Sequence, residues 1–231
     1  MTCALPTTSD PEEQHWLGLQ RELIDSLQAQ PFLVVVRPTA ADLEGGFDQS
    51  SLIQQLFDLD AAGLRHLEVA WIDHPRWLRF MQRLKDRFPR FQLGAASITR
   101  PAALEDLQHL SLAYAMAPSW DPQLVNEARR RGLLLVPGVF SPTEVQQARD
   151  FGCLLVKLFP AASLGPHYWQ RLQAPLGDLP WVIAAGGLSV ADVPQWIAAG
   201  HAAVALGRGV LSSAGLDPSL LALISGSPIN G

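Results

Sequence analysis

Eight short apolar runs alternate with longer amphipathic segments along the chain, and this alternation constrains the fold more than any other feature of the sequence. Strands that are apolar almost without interruption are typical of a parallel sheet that helices cover on both faces. In four places a glycine, the residue expected where a helix ends, precedes the next run. The runs are Phe32–Arg37, Leu64–Ala70, Phe91–Ala96, Leu112–Met116, Leu133–Pro137, Cys153–Leu158, Trp181–Ala185 and Ala202–Leu206, and the glycines are Gly63, Gly132, Gly152 and Gly200.

Eight strand–helix units in one chain of 231 residues predict the α/β class and, within it, a single (β/α)8 TIM barrel. A doubly wound open sheet is the alternative. Residues 1–30 are expected to form an N-terminal tail and an extra capping helix, and residues 31–225 the catalytic barrel. The residues before Thr8 and after Ser225 are expected to be loose. The helix would cover the barrel floor with an apolar stripe of Trp16, Leu17, Leu19, Leu23, Ile24 and Leu27.

Charge and composition exclude several classes of function. The net charge is −5 and no basic block is present, which argues against a nucleic-acid surface. The sequence shows neither a signal peptide nor an apolar run long enough to span a membrane, so a cytoplasmic protein is expected. The two cysteines, Cys3 and Cys153, match no zinc or redox spacing and are expected to be reduced. No metal and no cofactor are expected, and all six histidines are interpreted as structural or surface residues: His15, His66, His74, His109, His167 and His201.

An α/β barrel carries its active site at the C-terminal ends of its strands, which reduces the sequence to a short set of candidates. Lys157 and Glu68 are the candidate catalytic residues. The residues expected to bind the substrate are Arg37, Ser97, Pro118, Pro137, Phe159, Gly186, Gly187, Gly207 and Arg208.

Lys157 lies in the run Leu154–Pro160 and is the most informative residue of the chain. Lysine is rarely buried without a partner. Apolar burial lowers the pKa of an amine, and the neutral amine can then attack a ketone to form a Schiff base, whose iminium stabilises a carbanion. The alternative is a lysine at a strand end whose amine reaches solvent or pairs with a carboxylate.

Glu68 stands at the equivalent depth of the second run, between Leu67 and Val69. Burial among such neighbours raises the pKa of a carboxyl group and suits it to general acid/base catalysis. The alternative is a structural salt bridge to Lys157 or Arg37, and the two interpretations are compatible.

The last two runs end in glycine-rich turns, Ala185–Ser189 and Leu206–Gly209. In barrels these turns commonly hold a phosphate through backbone N–H groups and a short helix N-terminus. The alternative is that the glycines merely turn the chain.

With these residues in place, the chain resembles the KDPG/KHG aldolase family, the class I pyruvate-dependent aldolases acting on 2-keto-3-deoxy-6-phosphogluconate and 4-hydroxy-2-oxoglutarate. The resemblance covers about residues 30–212. The motifs that carry it are Val34–Arg37, Gly63–Val69, Leu93–Ile98, Val136–Val139 with Ser141–Glu144, Val156–Ala161 and Gly186–Ser189.

The resemblance implies a trimeric barrel without a metal, in which Lys157 forms the Schiff base and Glu68 is the acid/base. The chain also departs from the family pattern. Ile72 occupies the position where many members have an arginine that binds the substrate carboxylate, and Arg37 is expected to take over that role. The last glycine-rich turn, Gly-Gly-Ser in typical members, is Gly207–Arg208–Gly209 here, so it loses the phosphate-binding hydroxyl and gains a cation.

Three functions remain open at this point. The first is a lyase that cleaves a 2-keto-4-hydroxy acid to pyruvate and an aldehyde. The second is decarboxylation of oxaloacetate or a related β-keto acid on the same lysine, since loss of CO2 leaves the same enamine. The third is a degenerate barrel that only binds a sugar phosphate or a protein partner. For the first two, the expected partner is a small 2-oxo acid, with no nucleic acid and no membrane, and a homotrimer is expected.

Overall fold

The computed structural model describes residues 10–212 and 215–226. Its first nine strands are parallel neighbours in one sheet, and the last two form a small antiparallel pair. The strands are β1 (Phe32–Val36), β2 (His66–Ala70), β3 (Gln92–Ala96), β4 (Tyr114–Met116), β5 (Leu135–Val136), β6 (Gly138–Val139), β7 (Leu155–Leu158), β8 (Trp181–Ala185), β9 (Ala203–Leu206), β10 (Leu211–Ser212) and β11 (Gly215–Leu216).

Helices follow most strands and cover the outside of the sheet. They are α1 (Pro11–Ala29), α2 (Ala40–Glu44), α3 (Ser51–Ala62), α4 (Trp77–Arg87), α5 (Pro101–Leu110), α6 (Pro122–Arg130), α7 (Pro142–Asp150), α8 (Tyr168–Leu176), α9 (Val193–Ala198) and α10 (Pro218–Ile224), with 3-10 turns at Phe47–Gln49, Ala161–Ser163 and Val190–Asp192. In the described part of the chain, none of the helices combines the length and apolar character needed to cross a membrane.

The strand order is β5–β4–β3–β2–β1–β9–β8–β7–β6. The two ends of this order are joined by the chain itself, because β5 and β6 are separated only by Pro137. On one side the segment pairs with β4, and on the other it pairs with β7. The sheet therefore closes into a barrel, and the open-sheet alternative is excluded.

The fifth predicted run is divided because proline has no N–H to donate to a neighbouring strand. The Pro137 carbonyl still accepts a hydrogen bond from the backbone N–H of Lys157 at 2.9 Å. The next residue must be glycine, since a Cβ atom on Gly138 would lie 2.3 Å from the backbone carbonyl carbon of Pro118. Closure of the barrel thus brings Pro137, Gly138 and Pro118 beside the strand that carries Lys157.

Several predicted strands begin one or two residues too early. Leu64 and Cys153 are buried and apolar, as a strand would require, yet they lie in the turns that lead into β2 and β7. Burial in these turns produces the same apolar signal without a ladder of strand hydrogen bonds. The four glycines expected at helix ends all have the positive φ that this position favours.

Helix α1 packs across the N-terminal ends of the strands. Leu23, Ile24 and Leu27 join the apolar cluster that fills the barrel interior. The Gln20 side-chain oxygen accepts from the backbone N–H groups of Leu154 and Leu155 at 2.7 and 3.3 Å. This is the position expected for the capping helix. The division of the chain into 1–30 and 31–225 remains a prediction, and its expected loose N-terminal tail lies outside the described residues.

Candidate active site

A cavity of about 450 Å³ opens at the C-terminal ends of the strands. Its lining contains every residue proposed for the site from the sequence except Pro137, which is buried beneath it. It also contains residues that the sequence interpretation did not single out. The lining is Val35, Arg37, Glu68, Ala96, Ser97, Pro118, Lys157, Phe159, Ala185, Gly186, Gly187, Leu188, Ser189, Ala205, Gly207, Arg208 and Gly209.

Lys157 is held in the interior by its place on β7, between the strand segments of Gly138 and Ile183. Only 7% of the residue is exposed, and its Nζ lies 5.3 Å from the centroid of the Phe159 ring. Burial lowers the pKa of Lys157 from 10.5 to about 8, and the positive charge of Arg37 acts in the same direction, while Glu68 opposes the shift. The amine is therefore available in its neutral, nucleophilic form near physiological pH.

Glu68 points into the barrel from the centre of β2 and is 1% exposed. Burial raises the pKa of its carboxyl group from 4.5 to about 7, against the opposing effect of the positive charges of Lys157 and Arg37. Such a group can both donate and accept a proton near pH 7. Its Oε1 atom has no hydrogen-bond partner within the described residues.

The structural salt bridge considered for Glu68 does not form. None of the ion pairs in the described ranges, 10–212 and 215–226, involves Glu68 or Lys157. The carboxylate and the amine influence one another through the low-polarity interior without direct contact. Neither group is therefore occupied by an ion pair with the other, and both line the cavity.

Arg37 and Ser97 form one edge of the cavity mouth. The Arg37 guanidinium donates to Ser97 Oγ at 3.1 Å, and Ser97 adopts a left-handed backbone conformation with φ 64° that follows the end of β3. Ile72, in contrast, packs against the outer core and does not line the cavity. Of these positions, Arg37 is therefore the one that carries a cation to the cavity.

The two glycine-rich turns follow β8 and β9, and the second lies beside Arg37 because β9 pairs with β1. Gly186 and Gly187 both have positive φ, and Ser189 begins the following 3-10 turn, with Asp192 accepting from its N–H and hydroxyl. A second cavity of about 520 Å³ adjoins the first and shares Val35, Arg37, Gly207 and Arg208 with it. It extends toward α2 and the start of α3 and is lined by polar groups that include Thr39, Asp42, Gln49, Ser50 and Ser51.

Val35 and Ala205 are lining residues that the sequence interpretation missed. Val35 and Ala205 alternate with outward-facing neighbours on β1 and β9, so the two-residue period of a strand was the available signal. Leu188 and Ser189 also line the cavity, and they belong to the glycine-rich turn that the sequence indicated.

The histidines divide between the interior and the surface. His66 and His201 are buried, and burial lowers the pKa of each to about 4, so both are neutral at physiological pH. His66 is held through Nε2 by Ser26 at 3.1 Å. Within the parts of the chain that the structure describes, no three His, Cys, Asp or Glu side chains are grouped as metal ligands would be.

Comparison with known proteins adds a family match to this geometry. Residues 46–223 match the family model described as KDPG and KHG aldolase. The chain is 27% identical to the 2-dehydro-3-deoxy-6-phosphogalactonate aldolase of Escherichia coli K12 over 63% of its own length and 71% of that protein's. It is 33% identical to a probable enzyme of the same name from Rhizobium meliloti over 50% of its length, and spans about half of that relative (54%).

Among solved structures, the KDPG aldolase of Legionella pneumophila is similar in fold. It superposes with a TM-score of 0.69 at 19% identity, covering 88% of this chain and 95% of that one. That structure holds pyruvate captured at low pH as a covalent carbinolamine intermediate. The likeness confirms the predicted barrel.

Proposed function

Because this chain belongs to the KDPG and KHG aldolase family, we propose that it is a class I aldolase that cleaves a 2-keto-3-deoxy-6-phospho sugar acid to pyruvate and a phosphorylated aldehyde. The observation that carries the proposal is the buried Lys157 amine in one cavity with the buried Glu68 carboxyl, without an ion pair between them. The carbinolamine of pyruvate in the Legionella pneumophila aldolase supports a covalent route.

The proposed reaction begins when the neutral Nζ of Lys157 attacks the ketone carbon C2. The carbinolamine loses water with the help of a proton from Glu68 and becomes an iminium. Glu68, now a carboxylate, takes the proton of the C4 hydroxyl. The C3–C4 bond breaks, its electron pair moves to the iminium to form an enamine, and the aldehyde leaves. Glu68 returns the proton to C3. Water then adds to the iminium and releases pyruvate from Lys157, and the proton set free in this step protonates Glu68 again.

The two cavities support a substrate with a charged end at each side of the reacting carbon. Arg37 stands where it can bind the C1 carboxylate in a bidentate manner beside Ser97. Arg208 and the turn Gly186–Gly187 line the same cavity as Arg37, and Arg208 also lines the second cavity. A phosphate on the departing aldehyde would be placed there by charge and backbone N–H groups. For Pro137, the proposed contribution is indirect, through its hydrogen bond to β7.

Borohydride trapping tests the covalent step. Lys157 and Lys85 are the two lysines of the chain, and Lys85 donates to the Leu110 carbonyl on the outer surface, which makes it an internal control. We expect pyruvate and borohydride to label Lys157 in the wild type and in Lys85→Arg, and to leave Lys157→Ala unlabelled. Labelling at Lys85, or none under conditions that label a known class I aldolase, contradicts the mechanism.

A panel of substrates then tests whether the leaving group is an aldehyde or CO2. Pyruvate release is measured from the two phosphorylated sugar acids (gluconate and galactonate types), from 4-hydroxy-2-oxoglutarate and from oxaloacetate. Faster turnover of a phosphorylated acid supports the proposal. The relatives reported above are named aldolases, so decarboxylation remains a prediction, and oxaloacetate turning over faster than all the others would replace the proposal with it. Activity is expected to survive chelators, since the iminium serves as the electron sink.

The expected homotrimer and cytoplasmic location are part of the proposal as well. The mass in solution, measured by light scattering, tests the first, and fractionation of the source cells tests the second. A monomeric or dimeric mass contradicts the trimer.

A further inference from the structure

Glu68 is the first of three interior positions that lie side by side on neighbouring strands. Glu68 on β2 lies in register with Gly94 on β3, and Gly94 lies in register with Tyr114 on β4. Residues in register on parallel strands point to the same side, so Glu68 and Tyr114 both face the barrel interior, with one position between them. That position has no side chain.

Gly94 is what lets the Tyr114 ring extend toward Glu68. A Cβ atom at residue 94 would lie 2.7 Å from two atoms of the ring, the phenol carbon among them. The ring therefore lies over Gly94, with its hydroxyl end directed along the row toward β2. The negative charge of Glu68 contributes to raising the pKa of Tyr114, second to burial.

Neither Tyr114 nor Glu68 has all its buried polar atoms paired. The Tyr114 hydroxyl and Glu68 Oε1 are buried polar atoms without a hydrogen bond within the described residues. One is a donor and the other an acceptor. Buried polar atoms are nearly always satisfied, because leaving one unpaired costs roughly 1–3 kcal/mol, and a single buried water commonly joins such groups.

We propose that Tyr114 is a positioning residue for Glu68, its hydroxyl donating to the Glu68 carboxylate directly or through one water and so stabilising the ionised form. The role rests on the proposed function, in which Glu68 moves protons at C3 and C4. Tyr114 touches neither substrate nor reacting atoms, and it does not line the cavity.

Stabilisation of the Glu68 carboxylate by Tyr114 is distinct from the effects of the other groups that face Glu68. Lys157 from β7 and Arg37 after β1 are the two cations that act on its carboxyl. His66, two residues earlier on β2, has a pKa lowered to about 4 and stays neutral above that pH. The other buried residues of this interior cluster in the described chain are aliphatic or methionine and carry no hydrogen-bond donor on their side chains, so Tyr114 is the neutral donor of the row.

The test compares Tyr114→Phe with Tyr168→Phe. These are the two tyrosines of the chain, and the Tyr168 hydroxyl donates to the Phe140 carbonyl on the surface. The assay follows exchange of the pyruvate methyl protons in D2O by NMR as a function of pH. In the wild type the rate rises as Glu68 ionises, since the carboxylate takes the C3 proton.

Loss of a donor to a charged group moves a pKa by about one unit. In Tyr114→Phe the rise in exchange is therefore expected about one pH unit higher, with roughly tenfold slower exchange on its acid side and an unchanged plateau. Tyr168→Phe is expected to follow the wild type. A Tyr114→Phe profile that coincides with the wild type overturns the proposal, as does an equal shift in both variants. A merely structural role lowers the melting temperature and leaves the profile in place.

A second measurement separates this proposal from the proposed function. The glutamate carboxyl carbons are labelled with 13C, and the Glu68 signal is assigned by its loss in Glu68→Gln. Its titration is expected about one unit higher in Tyr114→Phe than in the wild type. This readout needs no turnover. If pyruvate does not exchange in the wild type while the titration still shifts, the proposed function fails and the link between Tyr114 and Glu68 stands.

Discussion

The two ends of the barrel differ in how far their buried polar groups are paired, although Gln20 Nε2 and His66 Nδ1 at the floor also have no hydrogen-bond partner within the described residues. At the floor, Gln20 accepts two backbone N–H groups of the chain leading into β7, and Ser26 contacts both His66 and Gln92. At the mouth, Lys157 and Glu68 are buried as deeply but form no ion pair in the described chain.

This difference separates stability from reactivity. A buried polar group with a hydrogen-bond partner stabilises the packing of the strands. An ionisable group that is buried without a partner lowers the stability of the fold, but its pKa is shifted and it can react with a substrate. The floor is thus the place where polar groups stabilise the barrel, and the mouth the place where they destabilise it. Substitutions at the two ends should therefore have opposite effects on activity and on stability.

The largest effect is expected for Lys157→Met at the mouth. Aldol cleavage should fall by roughly 10⁴-fold or more, the scale on which loss of a covalent nucleophile acts. The melting temperature at pH 7 should rise, since an apolar side chain of similar length replaces a buried amine. A variant with residual turnover within tenfold of the wild type contradicts the role of Lys157.

The pH dependence of stability sharpens the same point. The folded pKa of Lys157 is lowered from 10.5 to about 8, so between these values the unfolded chain binds more protons than the folded one. The free energy of unfolding contributed by Lys157 therefore rises with pH across this window. In urea unfolding, the free energy of unfolding of the wild type minus that of Lys157→Met should rise with pH across this window, since the other titrating groups are common to both proteins.

Glu68→Gln is expected to lower turnover by about 10²–10⁴-fold. The amide keeps the shape of the side chain, but it neither gains nor loses a proton between about pH 5 and 9 and so cannot act as an acid or a base. Steady-state kinetics measures the loss, and Glu22→Gln on the exposed face of α1 is the matched control. Near-normal turnover would reduce Glu68 to a structural role.

Substitutions of Arg37 and Arg208 test which end of the substrate each arginine binds. A bidentate pair with the C1 carboxylate contributes roughly 1.5–3 kcal/mol, so Arg37→Ala should raise KM by about 10- to 150-fold for every substrate. Arg208→Ala should raise KM only for substrates with a distal phosphate or carboxylate. If Arg37→Ala changes no KM, the carboxylate is held elsewhere at the mouth.

The smallest effect is expected at the floor. Gln20→Ala leaves the N–H groups of Leu154 and Leu155 without their acceptor, which costs about 2 kcal/mol and lowers Tm by roughly 4–8 °C. Turnover at 25 °C should not change. Gln28→Ala on the exposed side of α1 is the control, and an activity loss in Gln20→Ala that exceeds its stability loss would break the division between floor and mouth.

Much of the barrel follows from the sequence because its signals are local. Eight apolar runs, four helix-ending glycines and the stripe on α1 each report burial within a few residues, and all of them correspond to elements of the structure. Lys157 and Glu68 stood out for the same reason, as charged side chains in runs that are otherwise apolar. The rule that barrel sites lie at strand ends then placed them together.

The sequence by itself determined the eight strand–helix units and their order along the chain, the helix at the floor and the two buried ionisable residues at the mouth, since these depend on neighbours along the chain. Only the tertiary structure decided how the sheet closes around Pro137, that Arg37 rather than position 72 reaches the cavity, and that Tyr114 reaches across Gly94 toward Glu68. Those contacts join residues on different strands. Their geometry is set by strand register and by which side chains are absent, and neither has a periodic trace in the sequence.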